Sequence, residues 1–171
     1  MNVAVTATPL NISTSGINDY AVRVGEAYGI YSPDGCADLD HLLQQLGGEV
    51  EVRDGVESLA IDKKSGTFTV FVPGHTSPRR DRFTIAHEVG HYLLHHLNAD
   101  EGNRLWRFTR LGSNGAETQA NIFAAALIMP EAHFRRAYSE LNGNVHAIAS
   151  RFDVSPAAAS VRCSVLGLNE R

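Results

Sequence analysis

Cysteine is nearly absent from this sequence: only Cys36 and Cys163 occur, far apart and outside any CxxC spacing. That excludes a disulfide framework and a thiolate zinc site, and it leaves two reduced thiols. Long apolar runs are missing too. The longest, Ile122 to Met129, is too short to cross a bilayer, and the opening MNVAVTATPLNISTSG lacks the basic start and unbroken apolar stretch of a secretory signal. A cytoplasmic protein with no membrane contact is the expectation. Positive charge is also scarce, with 15 Lys and Arg against 19 Asp and Glu and a net charge of -4. No broad field attracts phosphate backbones, so direct nucleic-acid binding is not expected.

What is present suits one soluble domain. The 171 residues, 43% hydrophobic and 20% charged, can build a single core. Residues 1–16, rich in Thr, Ser and Asn without a sustained period, read as a loosely held N-terminal arm, and residues 17–171 as the domain. Helices are expected from Ile17 to Tyr28 and over LDHLLQQL behind Asp38, the second stopped by Gly47-Gly48. GEVEVR and VESLAI flank Asp54-Gly55 as a hairpin would, and TFTVFV (67–72) follows a second turn at 62–66. A small three-stranded antiparallel meander is therefore expected. Ser77-Pro78 starts a helix running to about His96, and a long connection holding LWRFTR (105–110) leads to another from Gly115 to Met129, ended by Pro130. Three more helices, near 131–141, 145–152 and 156–166, complete an α+β fold. The last two have helix-turn-helix spacing, but their small net charge of +1 with the tail suits packing better than phosphate contacts.

The chemistry is concentrated in His87-Glu88-Val89-Gly90-His91. On a helix, imidazoles at i and i+4 share one face within reach of one metal ion, and Glu88 lies beside them, free to serve as general base. The flanks, including Phe83, Ala86, Val89, Leu93 and Leu94, are apolar, so this helix should be largely buried. Burying unpartnered polar groups costs roughly 2–7 kcal/mol each, and a metal would offset that. A catalytic zinc takes three protein ligands and leaves a fourth position open. Glu117 is the candidate third ligand. Its helix face continues with Ala120, Asn121, Ala124 and Ala125, small enough for close approach to the HExxH helix, with Asn121 placed to hydrogen-bond a ligand. Glu117 equally completes a capping box with Asn114. His95 is expected to make a buried hydrogen bond and His96 a surface one, both outside the site. LWRFTR reads either as a lid or substrate-contacting strand or as a loop that covers the core.

FTIAHEVGHYLLH (83–95) followed by ETQANIFAAALIMP (117–130) resembles the ImmA/IrrE family of bacterial zinc metallo-endopeptidases, in which an HExxH helix precedes an E-x-x-A-N-x-F-A-A helix ending in Met-Pro. The resemblance implies Zn2+ held by His87, His91 and Glu117, with Glu88 catalytic. It also implies a protein substrate, an XRE-type helix-turn-helix repressor encoded nearby, whose cleavage switches on its genes in transcription regulation or stress response. Larger family members add DNA-binding or sensor-like domains for which 171 residues leave no room. The alternative is a non-catalytic, zinc-containing regulatory or toxin-like binding module of a two-gene system, for which a non-ligating carboxylate at position 88 has no use.

Overall fold

The computed structural model describes residues 7–97, 105–109 and 115–169. In chain order these form α1 (Thr14–Ala27), α2 (Leu39–Leu46), β1 (Gly48–Val52), β2 (Glu57–Asp62), β3 (Thr67–Val72) and α3 (Pro78–His91), which continues into a π-helical turn, Tyr92–His96. Then come β4 (Leu105–Thr109), α4 (Gly115–Ile128), α5 (Glu131–Glu140), α6 (Val145–Phe152) and α7 (Pro156–Val165). The class is α+β, as the patterning implied.

Side-chain caps set most helix starts. Asp38, Ser77, Asn144 and Ser155 each accept a backbone N–H from the first turn of the helix they precede, satisfying a donor that the helix itself leaves open. Ser13 does the same for Gly16, which is why α1 begins at Thr14, three residues before the expected Ile17. Pro78 and Pro156 sit where a missing N–H costs nothing.

The sheet has four strands in the order β1-β3-β2-β4. The β2–β3 hairpin forms as expected, because Asp62 Oδ1 accepts the N–H of Lys64 at 2.9 Å and Gly66 takes the left-handed φ of +72° that the turn needs. The expected β1–β2 hairpin does not form. Instead β3 lies between them, parallel to β1 and antiparallel to β2. Two contacts explain the difference. Gly48 lies opposite Phe68, where a Cβ would come within 2.4 Å of the ring, so only glycine lets β1 settle there. Beyond β1, Arg53 N–H donates to the Val72 carbonyl and Asp54 Oδ1 accepts from Gly74, so the Asp54-Gly55 stretch continues along β3 rather than turning back. Part of LWRFTR supplies the fourth strand, β4, antiparallel to β2. TFTVFV is thus an inner strand; the outer strands are β1 and β4.

β2 and β3 bury Leu59, Ile61, Phe68 and Val70 against the helices. The Phe68 ring stacks on Tyr92 at 4.1 Å, which anchors the π-helical turn to the sheet. On the other side, α3 packs on α4, and α4 on α1. α4 is therefore covered nearly all round, with Ala116, Ala120, Phe123, Ala124, Leu127 and Ile128 fully buried. Phe134 and Phe152 stack at 5.5 Å where α5 meets α6. Each such phenylalanine stabilises the fold by about 1.5–3 kcal/mol through burial alone.

Candidate metal centre

The i, i+4 spacing on α3 brings the two imidazoles together, with His87 Nε2 and His91 Nε2 3.1 Å apart. Glu117 stands in the first turn of α4, where open N–H groups favour a carboxylate. One of its oxygens lies 3.2 Å from His87 Nε2 and the other 3.0 Å from His91 Nε2. Glycine makes this approach possible. A Cβ on Gly90 would come 3.1 Å from Phe123 and 3.3 Å from the Ala120 carbonyl, so α3 and α4 touch backbone to side chain one turn from Glu117.

His87, His91 and Glu117 thus offer three ligand atoms within one small volume. Metal bonds of about 2.0–2.1 Å at a tetrahedral angle place ligand atoms roughly 3.3 Å apart. The two imidazole nitrogens, 3.1 Å apart, are close to that edge length, and each has one of the two Glu117 oxygens at 3.2 or 3.0 Å, so the residues fit a metal ion of this kind. Burial also suits ligation. It pushes the His91 pKa down to about 2, helped by the neighbouring His87, His95 and His96, and a neutral ring keeps a lone pair for a cation. Glu88, between the two histidines on α3, is only 4% exposed. Asn121, expected beside a ligand, has its Oδ1 2.9 Å from His87 Nδ1.

His95 was expected to make a buried hydrogen bond outside the site, and it makes that bond to His91 itself, ring to ring at 3.1 Å. Burial lowers its pKa as well, opposed by the Gln119 hydrogen bond and the Glu117 charge. The other His95 nitrogen lies 3.0 Å from Gln119 Oε1. Gln119 escaped notice because the helical repeat sets it about 200° round the axis from Glu117, off the face that marks the other ligating groups. Its signal is only its place between Glu117 and Asn121. His96 was expected at the surface, but its ring is buried where the π-helical turn packs on the core, with a pKa lowered to about 3 mainly by that burial; it stays outside the triad. Asn114, the partner in the suggested capping box, lies outside the described residues, as does Arg110 of LWRFTR.

A transcriptional regulator from Mycobacterium tuberculosis, of known structure, superimposes with a TM-score of 0.57 at 19% identity. The likeness covers 91% of this chain but 47% of the regulator, so the chain spans about half the length of that protein, and at this identity the fold is what they share. No curated protein matches the chain. The IrrE N-terminal-like domain, a peptidase family, matches residues 49–164, a span that holds the sheet, α3 with both histidines, and Glu117 on α4. With more than half its length matched, the chain belongs to this Peptidase M78 family of IrrE N-terminal-like domains, a metallopeptidase family.

Proposed function

We propose that the protein is a zinc-dependent endopeptidase in which His87, His91 and Glu117 hold the metal and Glu88 is the general base. The observation that most supports this is the convergence of His87, His91 and Glu117, with the two imidazole nitrogens 3.1 Å apart and the two Glu117 oxygens 3.2 and 3.0 Å from them, beside a carboxylate that is almost wholly buried. Two imidazoles and one carboxylate are a donor set of catalytic zinc, and a structural site has no use for Glu88. Zinc, when bound, supplies a Lewis acid that acidifies water and polarises a carbonyl. Glu88 accepts the proton from the attacking water and delivers it to the amine as the peptide C–N bond breaks. Asn121 Oδ1, 2.9 Å from His87 Nδ1, keeps the His87 ring in place throughout.

The proposed substrate is a helix-turn-helix repressor of the XRE type, encoded nearby and cut to switch on its genes. Support comes from the family likeness and from a fold shared with a transcriptional regulator. Binding energy from a folded partner can orient one flexible segment at the metal, which gives selectivity that a bare cleft lacks. The test is to incubate zinc-loaded protein with that repressor and, separately, with casein, and to map products by mass spectrometry. One cut in the repressor and little casein loss is expected, and Glu88→Gln should retain zinc while cutting at least ~10²-fold more slowly. Casein degraded with the repressor intact would overturn the substrate; undiminished cleavage by the variant would remove Glu88 from the chemistry.

A further inference from the structure

His91 has two ring nitrogens, and they face different partners. Nε2 lies 3.0 Å from Glu117 Oε1, and Nδ1 lies 3.1 Å from His95 Nδ1. Which of them carries the proton decides whether Nε2 can ligate a metal. The hydrogen bonds behind His91 settle this, beginning at a peptide group. Leu10 N–H donates to Gln119 Oε1 at 2.9 Å, and Gln119 Nε2 donates to the Leu10 carbonyl at 2.7 Å. A peptide N–H can only donate and a carbonyl can only accept, so the Gln119 amide has a single orientation. Its oxygen also faces His95 Nε2 at 3.0 Å, which obliges that nitrogen to bear a proton. His95 is 9% exposed, and its hydrogen-bond partners are an imidazole and an amide, neither of them anionic, so the ring is neutral. Its Nδ1 is then a bare acceptor. His91 must donate to it from Nδ1, which leaves the His91 Nε2 lone pair directed at Glu117. Two acceptors 3.0 Å apart repel each other unless a cation lies between them.

We propose that His95 and Gln119 are positioning residues of the metal centre, which lock His91 in its metal-ligating tautomer, with the Leu10 peptide setting the direction of the relay. This rests on the zinc reading of His91 and adds to it the source of the ligand's tautomer. The competing arrangement, a metal-free site in which His91 Nε2–H donates to Glu117, would turn His95 Nδ1 into a donor. It would then need either a doubly protonated His95 or two acceptors, His95 Nε2 and Gln119 Oε1, face to face.

Two measurements test the relay. Long-range proton–nitrogen NMR of the metal-free protein should show His91 protonated at Nδ1 and bare at Nε2. Asn and Leu have nearly the same shape, but only Asn can accept from His91 and donate to Gln119. In competition with a chromogenic chelator, His95→Asn should bind Zn2+ within about threefold of the parent protein and His95→Leu about 10–100-fold more weakly, the usual scale for losing a ligand's outer partner. Equal losses in the two variants, or a His91 proton on Nε2 in the parent protein, would overturn the relay. Parent protein that shows the expected tautomer yet binds no Zn2+ would support the relay and overturn the zinc reading alone.

Discussion

Gly90→Ala isolates the contact that sets the distance between the two ligand-bearing helices. The added methyl would meet Phe123 Cδ1 at 3.1 Å and the Ala120 carbonyl at 3.3 Å, closer than ordinary packing allows, so one helix must yield by a few tenths of an ångström. Two effects on stability oppose each other. Alanine in a helix interior is favoured over glycine by about 0.8–1 kcal/mol, whereas overpacking a tight contact costs about 1–3 kcal/mol. The net loss should be near 1 kcal/mol, a fall in Tm of roughly 2–4 °C for a domain of this size. Metal binding has less tolerance. Ligand distances must hold to within about 0.2 Å, and the displaced contact lies beside His91 on α3 and one turn from Glu117 on α4. Zinc affinity should therefore fall by ~10-fold or more while the fold survives, as a chelator competition and a thermal melt of the same sample would show. A folded variant that binds zinc as tightly as its parent would refute the idea that this contact sets the ligand spacing.

Removing the ligands themselves should be more severe. By the three-ligand rule the protein should carry about one zinc per chain by elemental analysis, and His87→Ala, His91→Ala or Glu117→Ala should each strip most of it; full retention in Glu117→Ala would dismiss Glu117 as a ligand. A pH dependence follows from the buried histidines. His91 and His96 stay neutral in the fold down to about 2 and about 3, whereas in the unfolded chain they take up protons near the ordinary 6.5. Protons thus favour unfolding, so the stability of the metal-free protein should be full above ~pH 6.5 and decline as pH falls from there towards 3. Denaturant midpoints measured at pH values across that range check this, and a flat profile would contradict the burial of these rings.

Elements announced by local chemistry were legible in the sequence. Ser77-Pro78, Pro130 and Ser155-Pro156 marked helix boundaries because caps and prolines act within one turn, and the i, i+4 histidines carried their geometry with them. Glu117 reached the centre through a face of alanines that could be read from spacing. What was not legible depends on partners distant in the chain. β1 had two candidate neighbours, and the choice was made by the Phe68 ring fitting over Gly48. The π-helical turn leaves no period in the sequence, and the tie between Gln119 and Leu10 joins residues 109 positions apart.

That tie, with the helices it joins, means that no continuous fragment shorter than the span from Leu10 to Asn121 contains the whole centre. Both histidines of α3 leave the ribosome before Glu117, so a nascent chain holds at most two of the three candidate ligands until α4 has emerged and docked. The assembled set of candidate ligands is then a property of the completed fold and not of any precursor shorter than that span.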